Sequence, residues 1–173
     1  MTDSATDTAQ QNPTSQQAGT PGQQVTVQKI YVKDISFETP NSPQIFFQPA
    51  QSQPNVSFQL SNQTSKPANN VYEVVLQVTV TVTVQDKTAF LAEVKQAGLF
   101  NIVGFAEEQL HYLLNSYCPN MLFPFVRETI SDLVTRGGFP QLLLEPINFD
   151  AMYAQQVEAQ KAQQAGVVIT SEA

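Results

Sequence analysis

His111 and Cys118 are the chain's only histidine and only cysteine, and they are its best-equipped pair for nucleophilic chemistry. Such a pair works only when thiol and imidazole lie within hydrogen-bond reach. Seven residues along an unbroken helix place them about two turns, roughly 10 Å, apart. The pair therefore reads as structural. A metal centre needs three or four ligands, and one His with one Cys falls short. Glu107 with Glu108, and Asp34 with Glu38, could do acid–base work only by converging in a cleft, and nothing in their spacing brings that about. No glycine-rich loop follows a strand as a phosphate cradle would. The lone cysteine excludes an internal disulfide. Catalysis has no support in the sequence, and no cofactor or metal is expected.

The strongest pattern is one of packing. From Val71 to Val84 apolar and polar residues alternate without a break. Tyr72, Val74, Leu76, Val78, Val80, Val82 and Val84 take one side, and Val71, Glu73, Val75, Gln77, Thr79, Thr81 and Thr83 take the other. Side chains of a strand alternate faces, so this is a long strand in an antiparallel sheet with one greasy and one wet side. Val25 to Phe37 is an earlier strand whose alternation slips near Lys29-Ile30-Tyr31, as a bulge would make it. Val56, Phe58 and Leu60 mark a second strand, followed by a polar loop from Ser61 to Asn70. Gln85-Asp86-Lys87 is a tight turn, and Thr88 to Leu99 returns as the fourth strand, with Gly98 and Gly104 bracketing its exit. Phe90, Ala92 and Val94 share one side of it; Leu91, Glu93 and Lys95 share the other.

Phe105 to Arg136 carries the 3-and-4 spacing of a helix, which Pro119 and Pro124 must kink or break. Gly137-Gly138 ends it. Asn148 is placed to cap a last helix from Phe149 to about Gln163, with Asp150 in its first turn. Strands followed by helices predict an α+β fold: a four-stranded antiparallel sheet with a long kinked helix and a C-terminal helix covering one face.

Of 173 residues, 8 are Lys or Arg and 15 are Asp or Glu, for a net charge of −7. That balance argues against binding a nucleic-acid backbone and suits basic partners. Residues 1–24 hold no Leu, Ile, Val or aromatic residue and are expected to be disordered. Residues 25–163 form the domain, and 164–173 a flexible tail. The start has neither a basic nor an apolar region of the signal-peptide type. The apolar stretch from Leu110 to Val126 contains Asn115, Pro119, Asn120 and Pro124, which argues against a membrane span. A cytoplasmic protein without direct membrane insertion is the expectation.

Apolar residues also stand in irregular places. Ile45, Phe46 and Phe47 lie in a proline-rich crossover, and Leu142, Leu143 and Leu144 in the link between helices. Buried loops are rare, so such residues close a core, roof a groove or form an interface. Leu91, set among charged neighbours on the wet side, is a candidate docking residue.

The segments VQKIYVKDISFETPNSP, NVYEVVLQVTVTVTV, TAFLAEVKQAG and SYCPNMLFPFVRETISDLVTRGGFPQLLLEPINFDA, in that order, resemble the SecB protein-export chaperone family. The resemblance runs from about Gln28 to about Gln156. It implies a cytoplasmic, ATP-independent chaperone that holds unfolded secretory precursor proteins and delivers them to the SecA motor ATPase. It also implies a homotetramer built as a dimer of dimers. Docking of SecA would fall to Asp34, Glu38, Leu91 and Glu93 on the outer sheet face. Client binding would use a groove lined by Phe37, Phe46, Phe47, Phe123, Phe125, Leu142, Leu144, Phe149 and Tyr153. The family often has a tryptophan in the crossover; this chain has none, so Phe46 or Phe47 would take its place. Ala92, Val94 and Gln96 share the inward side of the fourth strand and are expected to bear on assembly. Two other readings stand beside this one: a carrier of a small apolar ligand, and a chaperone dedicated to one partner such as an antitoxin.

Overall fold

A computed structural model describes residues 22–47 and 53–167. Of the N-terminal stretch 1–24 expected to be disordered, residues 1–21 lie outside them and Gln24 opens a strand; of the expected tail 164–173, residues 168–173 lie outside them and 164–167 continue the last helix. Four strands form one antiparallel sheet: β1 (Gln24–Glu38), β2 (Asn55–Ala68), β3 (Val71–Val84) and β4 (Lys87–Val103), in the order β1-β4-β3-β2. The β3 bounds match the alternating run at both ends. Gln85 and Asp86 join β3 to β4 in the left-handed region, at φ 49° and 63°. Two consecutive residues of that kind make the tight turn whose twist suits a hairpin.

Two strands run further than their sequence suggested. The polar stretch from Ser61 belongs to β2, which stays in register with β3 from Asn55↔Thr83 to Ser65↔Glu73 and meets it again at Ala68↔Val71. This is an edge strand with solvent on its free side, so no apolar alternation is needed to hold it. Pro67 falls at the irregularity, where a missing N–H costs nothing. β4 continues to Val103, which puts Gly98 inside the strand. A Cβ there would meet the Phe100 ring at 2.6 Å and Leu122 at 3.0 Å, so the glycine admits the helix above it.

β1 carries two bulges, one between Val27 and Lys29 and one between Val32 and Asp34. The first accounts for the slip in the sequence. Each inserts one residue and so exchanges the faces of everything after it. Through both exchanges Val25, Val27, Ile30, Val32, Ile35 and Phe37 stay on the same side, as their partners Ile102, Phe100, Gly98, Gln96, Val94 and Ala92 require.

That side is covered by helices. α1 (Glu107–Tyr112), a π-helical stretch (Leu113–Tyr117) and α2 (Cys118–Arg136) follow one another without a gap. Pro119 sits in the first turn of α2, where its missing N–H is tolerated, and Pro124 lies within the helix. The π stretch lies just ahead of Pro119, and the Asn62 side chain donates to the Leu114 carbonyl there at 3.0 Å. From Cys118 every fourth residue (Leu122, Val126, Ile130, Val134) is fully buried. This row lies in one core with Val74, Leu76, Val78, Val80, Val94 and Phe100. Gly138 at φ 84° turns the chain out of α2.

α3 runs from Phe149 to Val167, beyond the boundary read at residue 163. Asn148 caps it: its side-chain oxygen accepts from the Ala151 N–H at 3.0 Å. Asp150 does more than meet the helix dipole. Its Oδ1 accepts from Ser116 at 2.6 Å and from Tyr112 at 2.8 Å. Those two hydroxyls, Ser116 first, hold its carboxyl below the usual range and fasten α3 to the preceding helices.

Ile130→Ala should cost about 2–4 kcal/mol of unfolding free energy, because it opens a cavity in the middle of the row. Urea titration followed by circular dichroism would measure it, and a cost below about 1 kcal/mol would contradict this packing.

Candidate functional site

The two faces of the sheet present different chemistry. On the outer face, the ladders oppose Asp34 to Lys95, Ser36 to Glu93 and Glu38 to Leu91, and on the other flank Thr79 to Glu93 and Thr81 to Leu91. Residues directly opposite in a ladder point to the same side. Asp34, Glu38, Leu91 and Glu93 therefore gather on one surface. Glu93 Oε2 accepts from the Thr79 hydroxyl at 3.1 Å. Lys95 Nζ donates to Asp34 Oδ2 at 3.1 Å and stands 3.4 Å from Glu93 Oε1. The hydrogen bond to Asp34 is the main reason its pKa is raised. Lys95 is a central member of this surface that the sequence reading left out of the set. Its spacing of two from Glu93 already placed it on that side.

A second acidic group on the same face is differently engaged. Glu73 accepts from the Tyr31 hydroxyl, from Lys33 Nζ at 2.9 Å on each oxygen and from Ser65 at 3.2 Å. The Tyr31 hydrogen bond, then that of Lys33, lowers the Glu73 pKa. The same bond to Glu73, with burial and the carboxylate charge behind it, pushes the Tyr31 phenol up to about 12. Lys33 is the extra residue of the second β1 bulge, so this cluster pins the bulge.

On the covered side, four rings form a chain along one end. Phe37 stacks on Phe90 at 5.7 Å, Phe90 meets Phe139 at 4.9 Å, and Phe139 meets Phe46 at 5.0 Å. Phe90 and Phe139 were not among the expected lining residues. Gly137 is needed beside this chain, since a Cβ there would lie 2.4 Å from the Phe37 ring. Phe46 is 49% exposed and Phe47 82%. Nearby, an open trough of about 750 Å³ runs between Val32 and Ile35 of β1, the second half of α2, and Leu143 and Leu144. Leu143 is 67% exposed, Leu142 half-buried and Leu144 buried.

The other expected lining residues do not join this group. Phe123 and Phe149 are buried against each other, at 5.7 Å, and anchor α3. The Tyr153 hydroxyl lies 2.9 Å from His111 Nδ1, and its ring packs 5.5 Å from that of Tyr112. Phe125 is exposed on α2. Among the described residues no ring contact links these four to the Phe37 chain. Ala92, Val94 and Gln96 lie on the covered side of β4, and Gln96 is only 3% exposed. Val94 is enclosed within its own chain, so a charge there acts first on the core of that chain. His111 faces Tyr153, while Cys118 sits in the core with its thiol pushed by burial up to about 12, too high for a nucleophile at neutral pH. Among the described residues no group of His, Cys, Asp and Glu could hold a metal, and no helix is long and apolar enough to cross a membrane.

Comparison with known proteins places the chain. The SecB family model, preprotein translocase subunit SecB, matches residues 16–160. The protein-export protein SecB of Nitrosococcus oceani is 59% identical over 155 residues, covering 88% of this chain and 93% of that protein. The protein-export protein SecB of Methylococcus capsulatus is 52% identical over 143 residues, covering 83% and 91%. Among solved structures, a SecB-like chaperone of Mycobacterium tuberculosis, in complex with a ChAD peptide from an antitoxin, has a TM-score of 0.55 at 22% identity, over 71% of this chain and 90% of that one. That likeness is one of fold.

Glu73 releases its proton more readily when folded, so it adds stability above its unfolded pKa, and that stability is lost as pH falls through the folded value. Unfolding free energies of the wild type and Glu73→Gln should differ most near about pH 6 and converge toward about pH 3. Denaturant melts at the two pH values would measure this, and a constant difference would contradict it.

Proposed function

The chain belongs to the SecB family, and from that premise we propose that it binds unfolded secretory precursors without ATP, keeps them fit for translocation and hands them to the SecA motor. It is a chaperone of protein export, not an enzyme. The observation that carries the finer reading is the division of the sheet. One face offers carboxylates with a half-buried leucine; the other, beyond its helices, leaves aromatic and aliphatic side chains open.

Apolar contacts are non-directional, so a surface such as Phe46, Phe47 and the trough beside Leu143 can accept unrelated sequences. The Phe37–Phe90–Phe139–Phe46 chain backs that surface with rigid rings, which limits the entropy lost on binding. The outer face suits a basic partner: Asp34, Glu38 and Glu93 supply charge, and Leu91 supplies an apolar anchor of about 1.5–3 kcal/mol if it is fully buried on docking. Steering by charge gives speed and specificity, and the leucine slows release. We place this work in the cytoplasm and in a homotetramer, in which one long client can touch several grooves at once.

The decisive experiment mixes the purified protein with a denatured secretory precursor, with and without SecA, and sizes the products. Three species are expected: the free chaperone, its complex with precursor, and a larger complex with SecA. A protein that ignores the precursor but takes up a fatty acid would favour an apolar carrier, and capture of one dedicated protein alone would favour a single-client chaperone. Glu93→Lys should weaken SecA binding about tenfold or more and leave precursor binding unchanged. Phe46→Ser with Phe47→Ser should do the reverse, at about tenfold. Equal loss of both activities in either variant would reject the division of surfaces.

A further inference from the structure

Asp34, Glu38 and Glu93 would make a strongly acidic surface on their own, but two of the three share a counter-ion from their own sheet. Lys95 bridges Asp34 and Glu93, at 3.1 and 3.4 Å. Register sets this bridge: Lys95 lies opposite Asp34 in the β1–β4 ladder and two residues from Glu93 along β4. Lys33, another cation of this face, is bound to Glu73. Glu38 has no ion-pair partner among the described residues. The side chains of Asp34 and Glu93 are 55% and 27% exposed, so a cation from outside can reach both.

We propose that Lys95 is a built-in competitor for a basic partner: its ammonium fills the position between Asp34 and Glu93 that the partner's lysine or arginine would take. The inference rests on the docking role given to this face above and adds to it a residue that opposes docking. A partner cation approaching the two carboxylates meets a like charge at the same spot and must displace it or share its acceptors. The lysine stem is long and flexible, so the ammonium can swing aside without disturbing the strand. The competition is therefore reversible and lowers affinity without blocking the surface. It is also electrostatic at a partly exposed site, so it weakens as salt shortens the screening length from about 10 Å at 0.1 M to about 3 Å at 1 M. Lys95 thereby sets both how tightly the partner holds and how steeply that hold depends on ionic strength, an element of repulsion built into a recognition surface.

The test titrates purified SecA into the wild type, Lys95→Gln, Lys95→Met, Lys95→Arg and Glu93→Lys by calorimetry, at low and high salt. Lys95→Gln and Lys95→Met should bind about three- to tenfold more tightly than the wild type at low salt, with the gain shrinking at high salt. Lys95→Arg should match the wild type. Melting temperatures near that of the wild type show that each variant is folded. If neither neutral variant binds more tightly while Glu93→Lys loses binding, Lys95 does not compete, and docking on this face stands. A gain that persists at high salt would also overturn the inference, since contact and not charge would then be its source. If Glu93→Lys binds as the wild type does, docking on this face is wrong and the role of Lys95 falls with it.

Discussion

The row formed by Cys118, Leu122, Val126, Ile130 and Val134, pressed onto the valines of β3 and β4, is the contact on which the other surfaces depend. An alternating strand cannot bury one face without turning the other outward. Once α2 takes the valine side, the threonines, Glu93, Lys95 and Leu91 have only water to face. Width does the rest. Four strands spaced about 4.8 Å apart make a sheet wider than a single helix of about 10 Å can roof. Side chains of the edge strands on the roofed side are left open: Val32 and Ile35 on β1, Val56 and Phe58 on β2. The apolar side chains that the sheet leaves open are thus on the part that one helix is too narrow to cover.

How much of this was legible in the sequence follows from what holds each part. β3 was read to the residue because both its faces are constrained, one by the core and one by water. The far half of β2 was legible only as loop because a mostly exposed edge strand can be polar throughout, with Asn62 meeting the helices through a hydrogen bond, and backbone hydrogen bonds leave no mark in side-chain pattern. The π stretch was invisible because Leu110, Leu113, Leu114 and Tyr117 fit a continuous helix equally well. Parity along β4 put Leu91, Glu93 and Lys95 on one face, because alternation within a strand is local; Asp34 and Glu38 joined them only through the family resemblance, since their place beside β4 is set by register across the β1 bulge before Asp34.

The aromatic residues were harder to place. Phe123 and Phe149 resemble Phe46 and Phe47 in sequence, yet the first two close the core under α3 and the last two stand in solvent. Hydrophobicity says that a side chain leaves water when it can; it does not say whether its own chain offers the place. Phe139 joined the ring chain through the turn after α2, where Gly137 clears space for Phe37 and a positive φ at Gly138 reverses the backbone. That contact depends on three elements meeting, and no window of sequence contains it.

The two bulges of β1 bear on how this chain can change over generations. Phe37 and Glu38 are consecutive codons serving opposite sides of the sheet, as are Phe90 and Leu91. Losing or gaining a single codon in β3 or β4 would put carboxylate where phenylalanine belongs and phenylalanine where carboxylate belongs. The central strands can thus vary in spelling but hardly in length. β1, at the margin, has accepted an odd residue twice, each time leaving it out of the ladder, and two such additions restore the original order of inside and outside. Length variation among descendants should therefore collect in the marginal strands.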